Sequence, residues 1–142
     1  MKILILLISF SFVLGCGSSG DDVPQPPAER KFLFGIRSHN KGEQDFVAFS
    51  SRPEVISKVL KELGKPVSER TLMINGAIDR GNDGNRNWSW HFKPDDWDLA
   101  EISVEVCDGL PSDVEKDIDY WVDTVKRFCP WDSFVKKEIA TD

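Results

Sequence analysis

Three consecutive stretches decide the fold: Thr71-Leu72-Met73-Ile74-Asn75-Gly76-Ala77-Ile78, then Asp79-Arg80-Gly81-Asn82-Asp83-Gly84-Asn85-Arg86-Asn87, then Trp88-Ser89-Trp90-His91-Phe92. The first reads as a strand. The middle one concentrates Gly, Asn and Asp, the residues that reverse a chain with least strain. The last alternates aromatic and polar side chains, the period of a half-buried strand. Strand, reversal and strand make an antiparallel hairpin. It sets Trp88, Trp90 and Phe92 on one face and Ser89 and His91 on the other.

Upstream, Phe32, Phe34 and Ile36 alternate with Leu33, Gly35 and Arg37, and the run from Asp45 to Ser50 follows the polar turn His39-Asn40-Lys41-Gly42. A second hairpin is expected there. Between the hairpins, Ser51-Arg52-Pro53-Glu54 supplies an N-cap and a capping-box glutamate. Val55, Ile56, Val59, Leu60 and Leu63 then recur on one helical face, and Gly64 and Pro66 end the helix. Downstream of a turn at Lys93-Pro94-Asp95-Asp96, Ile102, Val104 and Val106 alternate with Glu101, Ser103 and Glu105, which predicts a half-buried strand ending at Cys107. A second box, Ser112-Asp113-Val114-Glu115, opens a helix with Val114, Ile118, Trp121, Val122 and Val125 inward. The tail carries Phe128-Cys129-Pro130-Trp131 and a strand-like run through Ile139. The expected class is α+β, a mostly antiparallel sheet with two helices in the order β-β-α-β-β-β-α-β and one disulfide.

The N-terminus reads as an address. Lys2, the apolar run Ile3 to Leu14 and Gly15 follow the order of a secretory signal, and the run is shorter than the ~20 residues that cross a bilayer. Val13-Leu14-Gly15-Cys16 resembles the bacterial lipobox, in which the cysteine receives diacylglycerol. Residues 1–15 are therefore expected to be a signal peptide and residues 16–30 a lipidated Cys16 with a Gly/Ser/Pro leash. Residues 31–142 remain as a single domain. Lipidation consumes one of three cysteines and leaves Cys107 and Cys129 as a pair, bonded in an oxidising compartment. The place these features imply is the bacterial cell envelope, facing periplasm or exterior, with the outer membrane favoured.

Formal charge is −6 and becomes −7 when Lys2 leaves with the signal, a balance that excludes nucleic acid as a natural partner. From Asp95 to Asp123 eleven acids face a single base, Lys116, and most read as a solvated face. Asp119 and Asp123 sit four apart on one helical face and repel. A calcium loop over Asp79 to Trp90 fails at its third and twelfth positions, which are Gly81 and Trp90. No metal ligands, catalytic residues or cofactor are therefore expected. Trp88, Trp90 and Trp121 read as core, while Trp97 and Trp131 lie in turn-like settings suited to contact. His91 lacks the partners of a catalytic triad.

Asn87-Trp88-Ser89-Trp90-His91-Phe92-Lys93-Pro94-Asp95, Glu105-Val106-Cys107-Asp108 and Phe128-Cys129-Pro130-Trp131-Asp132-Ser133 together resemble a family of small exported bacterial domains. That family carries a calmodulin-binding label taken from the N-terminal domain of a eukaryotic protein. The resemblance spans Lys31 to Ile139 and implies the same Cys107–Cys129 disulfide, with Lys93 and Asp132 departing from its pattern. Its motifs assign no reaction. Calmodulin grips basic amphipathic helices, and the helices here are mixed or acidic, so the label carries no function to this chain.

The reading is thus a non-enzymatic interaction module, held to the membrane by a lipid on Cys16 and facing a protein or small-ligand partner. Trp88, Trp90, His91, Asp108 and Trp131 are the candidate binding residues, because a disulfide would bring Asp108 and Trp131 into one neighbourhood. Two alternatives stand beside it. One is an inhibitor of an extracytoplasmic hydrolase using the Asp79 to Asn87 turn, and the other an enzyme using His91 and Asp108.

Overall fold

A computed structural model describes residues 28–39 and 41–140. The signal segment, Cys16 and most of the leash lie outside the described residues.

The fold is the expected α+β class, with two helices interleaved among antiparallel strands and a Cys107–Cys129 disulfide. Strands β1 (Arg30–Ile36) and β2 (Phe46–Ser50) form the first hairpin, with Phe34 opposite Phe46. The C-terminal strand β6 (Ser133–Ile139) pairs with the other edge of β1, giving a sheet ordered β2-β1-β6. A second sheet, ordered β4-β3-β5, holds β3 (Met73–Arg80), β4 (Trp90–Ala100) and the two-residue β5 (Arg127–Phe128). Helix α1 (Pro53–Leu63) links the sheets. Helix α2 (Pro111–Lys116) leads into a π-helical turn, Tyr120–Val125, which Lys126 closes in the left-handed conformation.

Both sheets share one aromatic core. Phe34 stacks on Phe46 at 5.6 Å and meets Trp97 edge-on at 5.7 Å, while Phe128 meets Trp90 and Trp121 edge-on. Such pairs contribute about 0.5–1.5 kcal/mol each beyond the area they bury.

The two sheets are joined by side chains where no strand pairs. Along the free edge of β2, alternate backbone groups are taken in turn: the Trp88 indole donates to the Asp45 carbonyl at 2.8 Å, the Val47 amide donates to Asn85 Oδ1 at 2.7 Å, and the Trp97 indole donates to the Phe49 carbonyl at 2.6 Å. Asn85 is fully buried and also donates to the Trp90 carbonyl. This seam answers three of the backbone groups that an open edge would leave exposed.

Several local expectations are corrected. The turn at Lys93 to Asp96 is a bulge within one long strand: β4 runs through it, Asp95 takes φ 62°, and the register against β3 shifts between Gly76 and Ile78. A Cβ on Gly76 would collide with Trp97, so the glycine lets that indole lie across the strand. The strand expected over residues 101–107 is a loop ending in a single helical turn, Glu105–Cys107, and the eighth element falls instead at β5. Alternation was present there, but no neighbouring strand offers a ladder. The observed order is β-β-α-β-β-α-β-β.

Helix capping also differs. Ser51 does not cap α1 locally; its amide and hydroxyl donate to Asp95, at 2.7 and 2.6 Å, which the bulge of β4 carries to the helix N-terminus. Burial pushes the Asp95 carboxyl up, but the hydrogen bonds from Ser51 and Ser50 outweigh it and hold the group below the ordinary carboxylate range. In α2 the cap falls at Leu110 rather than Ser112, with the Leu110 amide donating to Asp113. Arg80 offsets the repulsion between Asp119 and Asp123 by donating to both at 2.7 Å, which keeps the Asp123 carboxyl below its ordinary value.

Candidate functional site

The loop between β4 and α2 is where apolar chemistry meets solvent. Ile102 is 85% exposed, Val104 63% and Val106 64%, and Trp131 beside them is 48% exposed. Such a cluster stands out on a domain that buries most of its other aromatics.

Each tie that holds the loop can be named. The disulfide sets the Cα atoms of Cys107 and Cys129 5.1 Å apart, and the Cys129 amide donates to the Cys107 carbonyl at 2.7 Å. Arg127 on β5 donates to Asn75 Oδ1 at 2.9 Å, and Asn75 on β3 donates to the Ser103 hydroxyl at 2.7 Å. Ser103 in turn lies 3.5 Å from the Cys107 sulfur. A loop pinned by a covalent bond and a hydrogen-bond chain presents its side chains already ordered, which lowers the entropy cost of docking.

Ile102 and Trp131 share an open cleft of about 190 Å³ with Thr71, Met73, Glu101 and Ser103. Pockets that take cofactors and drug-sized ligands span ~300–1,000 Å³. This cleft is the size for one protruding side chain.

The structure sorts the sequence-derived candidates. Asp108 and Trp131 do meet, with the Trp131 amide donating to Asp108 Oδ1 at 2.8 Å, so the carboxylate orders the Cys-Pro corner that displays the indole. Trp90 is fully buried, with its indole N–H unpartnered, and Trp88 is half-buried with its indole spent on Asp45. Trp90 therefore has no surface to offer a ligand, while Trp88 presents part of its ring beside a smaller hollow. Trp97, expected in a contact setting, is buried in the seam.

His91 stands opposite Asp79 on the β3–β4 hairpin, six residues along β3 from Met73 of the cleft, or roughly 20 Å at the rise of a strand. Its Nδ1 lies 2.8 Å from the Gly81 carbonyl and its Nε2 3.8 Å from Asp83, so it ties down the hairpin tip. Asp108 and His91 therefore belong to different ends of the molecule. The tip itself is folded onto its own backbone, with Asn82 donating to the Arg86 and Trp88 carbonyls and Asn85 buried in the seam.

Ile102, Val104 and Val106 are exposed apolar residues that sequence reading placed on a buried face. No local signal separates them from a half-buried strand, because the deciding feature is that β3 begins at Met73 and offers no ladder beyond Ala100.

A second hollow, of about 130 Å³, lies beside Asp45, Arg86 and Trp88. Its buried carboxylate, Asp45, leaves Oδ1 without a hydrogen-bond partner while Oδ2 is engaged. Buried Asp45 pairs with Lys136 at 2.8 Å, and Gly35 makes room for that lysine, since a Cβ there would lie 2.7 Å from its Cδ. Among the described residues no group of His, Cys, Asp and Glu is arranged to hold a metal, and no helix is long and apolar enough to cross a membrane.

Fold and surface together define a small disulfide-braced α+β domain with an exposed apolar loop. The chain belongs to the BP-74 N-terminal domain family, whose model matches residues 30–142. That match corrects the calmodulin-binding family suggested by the Trp88 to Asp95, Glu105 to Asp108 and Phe128 to Ser133 motifs. No curated protein and no solved structure matches the chain.

Proposed function

We propose that this protein is an extracytoplasmic interaction module, anchored by a lipid on Cys16, that docks a protein partner through the 101–107 loop and Trp131. The observation that carries the reading is the exposure of three aliphatic side chains and an indole on a loop braced by a disulfide. Solvent-facing aliphatics cost a free domain little stability but attract nonspecific contacts, so their concentration on a loop tied by a disulfide favours use in recognition. The signal-like run before Cys16 and the pairing of the other two cysteines support an address outside the cytoplasm.

Photo-crosslinking in cells producing the full chain tests both parts. A photoreactive residue at Val104 should give discrete adducts that depend on Trp131, and one at exposed Glu43 in the β1–β2 turn should give none. Cys16→Ser should move the protein out of the membrane fraction and lower the adduct yield. Adducts from position 43 but not 104, or a Cys16→Ser protein still held at the membrane, would count against the respective part.

A further inference from the structure

The contact loop carries its own charge. Between Ile102 and Val106 the chain sets Glu105, and Glu101 and Asp108 flank them, with no base from Glu101 to Asp108. Glu101 and Glu105 are both exposed, and neither carboxylate is engaged by another side chain among the described residues. Arg127, the cation tied to the loop through Asn75, spends its guanidinium on that side chain. An apolar cleft with the unanswered Glu101 carboxylate in its lining, and Glu105 further along the same loop, selects among occupants.

A second copy of this chain docking face to face would bring Glu101 and Glu105 against their own counterparts, and like charges across an interface disfavour it. An anionic lipid surface is repelled for the same reason. A small ligand is poorly matched by a cleft of about 190 Å³.

Resting on the docking face proposed above, we infer that the occupant is a protein segment presenting one bulky apolar side chain flanked by Lys or Arg. The apolar side chain enters between Ile102 and Trp131, and the flanking cations meet Glu101 and Glu105. Charge steers the encounter and apolar contact retains it, so binding weakens with salt but does not vanish.

The test uses the purified full chain and three labelled twelve-residue peptides: Lys alternating with Leu, Glu alternating with Leu, and Lys alternating with Gly. Fluorescence anisotropy at 50 and 300 mM NaCl reads affinity, and NMR reads the Trp131 indole and the methyls of Ile102, Val104 and Val106. The Lys/Leu peptide should saturate with shifts confined to those groups, and the other two should bind at least about tenfold more weakly. Trp131→Ala should weaken it by a similar factor. The double variant Glu101→Lys, Glu105→Lys, altered only at exposed positions, should reverse the preference between the Lys/Leu and Glu/Leu peptides.

Equal binding of the Lys/Leu and Glu/Leu peptides at these residues would overturn the charge selection while leaving the docking face standing. Equal binding of the Lys/Gly peptide would overturn the apolar anchor. Shifts at the same groups on adding phosphatidylcholine–phosphatidylglycerol vesicles, or on concentrating the chain alone, would replace the basic segment with a membrane or a second copy. Shifts elsewhere, or none with any peptide, would remove the docking face as well.

Discussion

The second half of β4 and the loop that follows it are written in similar letters and end in opposite environments. Trp97 and Leu99 alternate with Asp96, Asp98 and Ala100, and both apolar residues are buried; Ile102, Val104 and Val106 alternate with Glu101, Ser103 and Glu105, and all three apolar residues face solvent. The difference is the neighbour. Leu99 sits opposite Ile74 and Trp97 opposite Gly76, whereas β3 begins at Met73 and leaves nothing for the loop to pair with. Alternation gives a stretch two faces, and a ladder partner decides whether one of them is buried.

The contrast can be broken most severely at its two tryptophans. Trp97→Ala should cost about 3–5 kcal/mol in urea unfolding, because it empties a buried site and frees the Phe49 carbonyl. Trp131→Ala, half in solvent and retaining the amide that Asp108 accepts, should cost less than about 1 kcal/mol. Comparable losses for both would show that the exposed indole is structural and that the two regions do not differ as described.

Replacing Cys107 and Cys129 together by serine should cost about 3 kcal/mol for the 22-residue separation they span. Amide exchange sharpens the comparison: in β3 and β4 protection should fall only by the global loss, whereas over residues 101–107 it should be abolished. A fall over 101–107 no larger than that in β3 and β4 would mean that the loop is not separately tied.

The smallest effect lies at the bulge between the two regions. Asp95 has a depressed folded-state pKa, so its contribution is fully present above the unfolded value near ~3.9 and is lost as pH falls through the lower folded value. Asp95→Asn should therefore cost about 1 kcal/mol at pH 7 and progressively less as pH falls below about 4. A penalty that stays constant to pH 2 would show that the carboxylate charge plays no part at the α1 terminus.

Much of the fold was legible because its signals are local. Both hairpins, the inner faces marked by Val55, Val59, Val114 and Trp121, and the Cys107–Cys129 bond follow from periodicity, turn residues and cysteine count. What escaped depends on residues distant in sequence. Pro94 and the acids around it looked like a turn, yet an edge strand tolerates proline at a bulge. Ser51 looked like a cap and became the donor to Asp95, 44 residues away. Trp97 looked available until the Phe49 carbonyl was found to claim its indole. For the contact face, the Cys-Pro corner singled out Trp131, but nothing local revealed that Ile102, Val104 and Val106 had lost their partner strand.

The seam along β2 has a consequence for how such a chain survives among its own copies. A bare edge invites a strand from a neighbour, and aggregates grow by that route. Here an incoming strand would find the Asp45 and Phe49 carbonyls held by indoles and the Val47 amide held by Asn85, so it could join the sheet only by displacing buried side chains. The same residues that fasten one sheet to the other occupy three of the rungs on this edge that a second copy would have to grasp.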